Sequence, residues 1–322
     1  MANKGKYVLA MDLGGTKLAG ALVDRAGRIS RRATVLVDVR TAKGPVRQMV
    51  EMARTLAGTG LRGKVVVVGV AVPGLVRRDG TVWAPNLMGW TNMPLAKRLR
   101  AELKVPVVVE SDRNAAVIGE TWLGQARGKS DVIVLMIGTG IGAGILSGGR
   151  LLRGAHALSG CAGWMVVREA HGEAARRVGQ LESLASGPGI ARAAARQLER
   201  GVESLLSLIR GRMPNAYEVA EAARRGDMLS LEVFLEAGRL LGYGVANLVS
   251  LLDPEVVVIG GGLAKASDVY LDVLRKAMKE RAQPIAGHKV RVLVSQLGDD
   301  SNLLGAAKIA WEQVDTSERI NV

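Results

Sequence analysis

Residues 7–24 read YVLAMDLGGTKLAGALVD. An apolar run from Tyr7 to Met11 ends in Asp12, passes Gly14-Gly15-Thr16-Lys17, and resumes at Leu18, Ala19, Ala21, Leu22 and Val23. The pattern predicts a strand, a tight glycine turn and a second strand. Two glycines let backbone N–H groups approach an anion closely and reach conformations that other residues avoid. A threonine hydroxyl and a lysine stand beside them. Asp12, where the strand gives way to the turn, suits a hydrated Mg²⁺. The stretch has two readings, a cradle for nucleotide phosphates or a plain hairpin with a Gly-Gly turn.

The same pattern returns further along. Val132–Ile137 predicts a strand, residues 138–144 (GTGIGAG) a glycine turn, and Ile145-Leu146 the start of a return strand. Overlaying Thr139 on Thr16 puts Gly138 on Gly15 and Ile145 on Leu22, an internal repeat 123 residues apart. One glycine loop is a weak signal, but two that each open an α/β half are much stronger. They predict two similar domains facing each other across a central cleft, with a phosphate loop from each. The expected boundaries are 1–121, closed by a C-terminal helix at 301–322, and 122–300.

The rest of the chain alternates accordingly. A short strand is expected near Thr34–Val37 and a helix at Pro45–Leu56, where apolar residues fall at helical spacing. The valine-rich run Lys64–Val72 predicts a buried parallel strand that ends in Pro73-Gly74. Strand carboxyl ends are where ligands bind in open α/β sheets. A helix beginning at Pro94 and a strand at Val105–Glu110 follow, and then Asp112 leads into another helix. Asp112 has two readings, an N-cap or a carboxylate held in a cleft to accept a proton. Further on, Ser186-Gly187-Pro188-Gly189 predicts a kink or a fresh helix start. Helices are expected at 215–225, 227–252, 267–282 and 301–312, and strands at 255–259 and 289–295. Gly260-Gly261-Gly262 leaves room for a flat group such as a nucleobase, or for close packing of strand on helix. The tail beyond Trp311 is expected to fray.

Composition narrows the classes. Of 322 residues, 48% are hydrophobic and only 3% aromatic, so a sizeable core must be built from Val, Leu, Ile and Ala. The single cysteine, Cys161, excludes an internal disulfide and a cysteine-based metal cage. No secretion signal precedes the first strand and no long uncharged apolar run is present, so a cytoplasmic protein without a membrane partner is expected. The net charge of +14 is scattered among acidic neighbours, as at Arg192, Arg196, Glu199 and Arg200. No Lys/Arg block interleaves with aromatics, so phosphorylated small molecules are the expected partners rather than nucleic acid.

Taken together, DLGGTK (12–17), VAVPG (70–74), PNLMGW (85–90), SDRNAA (111–116), IGTGIGAGI (137–145), LLRGAHALSG (151–160), LESLASG (181–187), LLDPEVVVIGGG (251–262) and LGAA (304–307) resemble the ROK family of sugar kinases. That group includes bacterial glucokinase, fructokinase and N-acetylmannosamine kinase. The resemblance covers essentially the whole chain. It implies an α/β chain of two actin-like ATPase (ribonuclease H-like) domains. ATP phosphates would lie against Gly14, Gly15, Thr16 and Lys17 and against Gly138, Thr139 and Gly140. Gly261 and Gly262 would lie under the adenosine, and Asp12 would position Mg²⁺ through water. Asp112 matches the catalytic base, and Gly74, Asn86 and Glu182 match sugar contacts. A homodimer is a family expectation.

The departures fall on the acceptor side. Where the family continues roughly G-x-x-G-x-A-G-E-x-G-H, residues 154–165 read GAHALSGCAGWM. With Gly154, Gly160 and Gly163 in register, Cys161 stands for the sugar-binding glutamate and Trp164 for the zinc-binding histidine. Ser111 replaces the asparagine that precedes the catalytic aspartate. Glu173, Ala175 and Gln180 occupy the positions of three zinc cysteines, so no structural zinc is expected. His156 and His171 lie near this region but are read as ordinary residues. Three functions are compatible with these residues. The first is an ATP- and Mg²⁺-dependent kinase of a sugar or polyol with altered specificity. The second is a non-catalytic nucleotide- and sugar-binding sensor. The third is a transcriptional repressor, for which six residues before the first strand leave no room for a helix-turn-helix.

Overall fold

The computed structural model describes residues 7–58, 61–169 and 172–320. Its chain divides into two compact units. The first comprises Met1–Gly128, Arg153–Leu158 and Asp299–Val322; the second comprises Lys129–Leu152 and Ser159–Gly298.

The first unit holds β1 (Tyr7–Leu13), β2 (Lys17–Val23), β3 (Ile29–Leu36), β4 (Val65–Val72), the two-residue strands β5 (Leu75–Val76) and β6 (Val82–Trp83), and β7 (Val107–Ser111). Its main sheet runs β3-β2-β1-β4-β7. The β1–β2 and β2–β3 pairs are antiparallel, and the β1–β4 and β4–β7 pairs are parallel. Strands β1 and β4 are buried almost throughout, as their unbroken apolar runs require. The helix Gly44–Ala57 covers one part of the sheet with Met49, Ala53 and Leu56, which share one face at helical spacing.

The second unit repeats this plan. Strands β8 (Val132–Ile137), β9 (Ile141–Ser147), β10 (Arg150–Leu151), β11 (Val256–Gly260) and β12 (Arg291–Val294) form a sheet in the order β10-β9-β8-β11-β12. Antiparallel and parallel pairs occupy the same places as in the first sheet. The helix Met228–Leu252 is mostly apolar and buries residues on several faces, which suits the centre of this unit's core.

Four expectations need correction. The boundary expected at 121/122 falls instead at Gly128/Lys129. The helix Asp112–Leu123 stays with the first unit because it packs backbone to backbone on the terminal helix. A Cβ added at Gly305 would lie 1.7 Å from the carbonyl oxygen of Ala115, so only glycine permits this crossing. The return of residues 153–158 to the first unit was not foreseen. The tail does not fray at Trp311, since the terminal helix runs Ser301–Ile320. Trp311 is buried, its Nε1 donates to the Asp24 carbonyl at 3.0 Å, and Arg25 stacks over its ring and pairs with Asp315. Finally, a helix at Pro284–Lys289 precedes β12 and shortens that strand.

Candidate active site

In the first unit, β1 and β2 are joined by Gly14, Gly15 and Thr16, and the Gly14 N–H donates to the Lys17 carbonyl at 2.8 Å. Neither glycine adopts a positive φ. Their conformational freedom is therefore not what the turn uses. What they give is openness: a Cβ at Gly15 would meet nothing within 4 Å, and Gly15, Thr16 and Lys17 are exposed. The Gly14 N–H and the Thr16 carbonyl are already paired, but the exposed Gly15 and both polar side chains are open to an anion.

The sheet register gathers the acids. Asp12 pairs with Ala71 on β4, and Ala71 pairs with Glu110 on β7. The carboxyl ends of β1 and β7 are thus level, and Asp12 and Asp112 share that end. Asp112 is the first residue of the helix Asp112–Leu123, while Ser111 takes the N-cap position without a side-chain capping bond. The N-cap reading of Asp112 is therefore set aside. Both aspartates keep some surface, yet their carboxyls are enclosed. Desolvation pushes the Asp12 carboxyl up to about 7, helped by the charges of Asp112 and Asp299 and opposed by a hydrogen bond from Asn302. Desolvation also raises Asp112, against the Arg113 backbone N–H, which donates to its Oδ1 at 2.8 Å, and the Arg113 charge.

Behind Asp112, Glu110 is a buried anchor. It accepts from the Ser111 N–H at 2.9 Å, from Asn114 Nδ2 at 2.9 Å, and from Arg153 Nη2 at 2.8 Å. Arg113 Nη2 donates to the Ala157 carbonyl at 3.2 Å. Two side chains beside Asp112 leave a buried polar atom without a hydrogen-bond partner, Ser111 Oγ and Arg113 Nε. Such atoms are uncommon in folded proteins and mark places prepared for a ligand or water. Asn86 is exposed on a loop pinned by Trp90, whose Nε1 donates to the Ala42 carbonyl at 2.9 Å. Gly74, with φ 91°, lies where a Cβ would strike the Trp83 carbonyl.

In the second unit, Gly138, Thr139 and Gly140 join β8 to β9, and the Gly138 N–H donates to the Gly140 carbonyl at 2.9 Å. Glu182 braces this turn, since its Oε2 accepts from the Ile141 N–H at 2.8 Å. Desolvation raises its carboxyl, and the Ile141 N–H partly offsets this. A Cβ on Gly140 would lie 2.9 Å from Glu182 Oε2, and one on Gly163 would lie 2.8 Å from Glu182 Cβ. The structure therefore brings the second turn, Glu182 and the short turn Ala162–Trp164 together. Cys161 caps that turn and is partly buried, whereas Trp164 is 57% exposed and does not fill an interior space.

The segment matched to a zinc motif is held by Gln180. Its Oε1 accepts from the Val167 N–H at 2.7 Å and the Arg168 N–H at 2.9 Å, and its Nε2 donates to the Arg168 carbonyl at 2.9 Å. Glu173 and Ala175 lie in the helix Glu173–Val178. His171 lies outside the described residues.

A cavity of about 530 Å³ opens beside the second turn. Gly138, Thr139, Gly187, Pro188, Met213 and Tyr217 are among its lining residues, with Gly262. Ser186 ends one helix and caps the next, Gly187–Glu199, by accepting from the Gly189 N–H. The Gly187 N–H donates to the Gly138 carbonyl at 2.8 Å and ties that helix start to the turn. Asn215 and Glu218 form a capping box that fixes Tyr217 in the first turn of the helix Ala216–Arg224. The two candidate glycines separate here. Gly262 lines the cavity, but Gly261 does not. Gly261 has φ 82°, and a Cβ there would lie 2.5 Å from the Ile137 carbonyl oxygen, so its need is close packing.

The residues around Asp12 suit Mg²⁺. Asp12, Asp112, Asp299 and Asn302 present only hard oxygen acceptors. Asn302 Oδ1 is buried and lacks a partner, so one of those acceptors is free. Among the described residues no three His, Cys, Asp or Glu side chains are grouped to hold a metal directly.

Comparison with known proteins places this arrangement. The ROK family profile matches residues 8–313. The chain belongs to the ROK family. A glucokinase of Streptomyces coelicolor is 34% identical over 94% of this chain and 97% of its own length. A bifunctional enzyme NanE/NanK of Brucella suis is 34% identical over 96% of this chain and 54% of its own length. Among solved structures, a ROK family glucokinase of Streptomyces griseus in complex with glucose and AMPPNP superposes with a TM-score of 0.79 at 33% identity, covering 95% of this chain and 99% of its own. The α/β fold of two actin-like ATPase domains is thereby the fold of this ROK chain.

Sequence reasoning missed Met213, Pro188 and Tyr217 around the cavity, and Glu110, Asp299 and Asn302 around the acids. The capping signal Asn215-x-x-Glu218 was readable, and it marks where Tyr217 stands. Asp299 and Asn302 carry no local signal, because they meet Asp12 only through the fold.

Proposed function

We infer that this chain catalyses ATP-dependent phosphorylation of a sugar hydroxyl. The observation that carries the reading is the enclosed Asp112 carboxyl, raised by desolvation and set at a strand end level with Asp12. A carboxylate held this way is a stronger base than one in water. Asp112 takes the proton from the attacking hydroxyl, the sugar oxygen forms its bond to the γ-phosphorus, and the bond to the β-phosphate oxygen breaks to leave ADP. Gly14–Lys17 and Gly138–Gly140 supply backbone donors for the phosphates, and the cavity beside Gly262 and Tyr217 takes the nucleoside. Mg²⁺ held near Asp12 through water would neutralise the phosphate charge. Phosphoryl transfer asks for little else beyond positioning and one base.

The acceptor is a sugar or polyol chosen differently from that of relatives with an intact glutamate and histidine. Cys161 offers a thiol in place of a carboxylate, Trp164 is exposed, and Ser111 is too short to reach as asparagine does. A carboxylate contributes about 1.5–3 kcal/mol per charged hydrogen bond to a hydroxyl, so its loss must be met by other groups. The hydrogen bonds of Gln180 support a segment that folds without zinc. No helix among the described residues is long and apolar enough to cross a membrane. We place the enzyme in the cytoplasm as a homodimer acting on small molecules rather than nucleic acid.

The test is ADP release across hexoses, N-acetylated amino sugars and polyols, with Asp112→Asn as control. The variant should lose at least about a hundredfold in turnover while still binding AMPPNP. Unchanged turnover in the variant rejects Asp112 as base. No sugar-dependent ADP release from the wild type favours a nucleotide-binding sensor instead.

A further inference from the structure

Asn302 is the second residue of the terminal helix, and its Nδ2 faces Asp12 Oδ1 at 3.4 Å. That distance is at the long end for such a bond. The same amide has a second polar atom, Oδ1, which is buried without any hydrogen-bond partner. A buried amide oxygen left unpaired costs about 1–3 kcal/mol. Leaving it so next to a carboxylate is unfavourable unless something else meets it there. A carboxylate accepts and does not donate, so Asp12 in its charged form fixes the amide with Nδ2 inward and cannot satisfy Oδ1 itself. Asp299, three residues earlier, adds negative charge at the same carboxyl. Two further acids and a free acceptor thus surround Asp12, and among the described residues no lysine or arginine pairs with Asp12.

We propose that Asn302 is a positioning residue for the metal–nucleotide complex, holding the Asp12 carboxylate with Nδ2 and offering Oδ1 to a water of the hydrated Mg²⁺. The inference rests on the reading of Asp12 as the Mg²⁺-positioning acid. One side chain then does two tasks. It limits the rotation of Asp12, and it adds an acceptor for the ion's hydration shell, as outer-shell partners commonly do around metals. The ligand class is a hard, hydrated divalent cation carried by nucleotide phosphates. The orphan atoms on the Asp112 side, Ser111 Oγ and Arg113 Nε, belong to a separate group and do not enter this role. Asp300 Oδ1 is not a further acceptor, because it lies 2.6 Å from Arg32 Nη2 in an ion pair whose angle is not that of a hydrogen bond.

The experiment measures Mn²⁺ binding to the full chain saturated with AMPPNP, reading free Mn²⁺ by electron paramagnetic resonance. Asn302→Ala removes both polar atoms, and Asn302→Leu removes them while keeping the volume. Both should weaken Mn²⁺ about fivefold to tenfold, the loss of roughly one hydrogen bond. AMPPNP binding without metal and the melting temperature should stay near wild type. Wild-type Mn²⁺ affinity in either folded variant overturns the proposal. If neither variant folds, the wild type still decides: the Asn302 side-chain amide ¹⁵N signal should shift with Mg²⁺–AMPPNP and broaden with Mn²⁺–AMPPNP, and an unmoved signal overturns it. Failure of the wild type to bind Mn²⁺–AMPPNP at all instead rejects the reading of Asp12 on which the proposal stands.

Discussion

Arg153 reaches Glu110 with its Nη2 2.8 Å from Oε2, and this ion pair fastens the returning segment 153–158 to β7, the strand that leads into Asp112. Arg153 is half exposed, but Glu110 is buried and spends its other oxygen on the Ser111 N–H and Asn114. The pair therefore bears on where the helix of Asp112 begins. Arg153→Ala should lower kcat about tenfold, as expected when a reacting group is displaced. It should leave the KM for ATP unchanged. The stability loss in urea should be about 1 kcal/mol, because solvent screens the exposed arginine. Arg153→Lys should recover only part of kcat, since an ammonium cannot reproduce the fork that guanidinium presents.

Asp12 gives a pH-dependent prediction with a definite sign. Its carboxyl is raised from 3.8 to about 7. The folded state therefore holds a proton that the unfolded state has released between those values. Stability from this group is greatest below the unfolded value and is lost as pH rises through about 7. At pH 8 the buried carboxylate is charged and costs stability, so Asp12→Asn should melt several degrees higher than wild type there. At pH 5.5 the difference should shrink, because the wild-type carboxyl is protonated. The same variant should lose most turnover at both values. Calorimetric melting of both proteins across pH 5–8.5 checks this, and a lower melting temperature for the variant at pH 8 contradicts it.

How far the sequence foretold this depends on whether a feature is local. The valine run of β4 and the two glycine hairpins were readable because burial on both faces and tight reversal each leave a local mark. Ser186 was readable as a break for the same reason. The extent of the terminal helix was less legible, because its last turns are polar and its Trp311 and Asp315 are held by Asp24 and Arg25, in the turn after β2 far away in the chain. Glu110 with Arg153, and Asp12 with Asn302, join residues far apart in the chain, so no spacing rule could pair them. The glycines are legible only in part. Gly14 and Gly15 look like conformational specialists but have no positive φ, and of the two readings of Gly261, a floor for a nucleobase or close packing, its contact with Ile137 supports the packing.

Gln180 should prove structural. It is 2% exposed and makes three hydrogen bonds to the backbone of Val167 and Arg168. Gln180→Leu fills the space but strands two N–H groups and a carbonyl, so it should destabilise the protein by about 2–4 kcal/mol. The metal chelator EDTA, added to the wild type without Mg²⁺ or nucleotide, should leave the melting temperature unchanged. A fall in melting temperature under the chelator would mean that a metal holds this segment after all.

Tyr217 should set nucleotide affinity without touching the acceptor. Its ring is 54% exposed, its hydroxyl lies 2.7 Å from where a Cβ on Gly262 would be, and both residues line the cavity. An exposed aromatic costs the folded enzyme little to keep and gains contact area when a flat base covers it. Tyr217→Ala should therefore raise the KM for ATP about tenfold, corresponding to the 0.5–1.5 kcal/mol that aromatic stacking adds beyond buried area. The KM for the sugar should not change, since Tyr217 lines the cavity beside Gly262 and Asp112 does not. Tyr217→Phe should behave as wild type if stacking is what matters, and a loss in that variant would assign the contribution to the hydroxyl. A bulkier change, Gly262→Val, should obstruct the same cavity and raise the KM for ATP further. Calorimetric titration with AMPPNP separates these binding effects from any change in the chemical step.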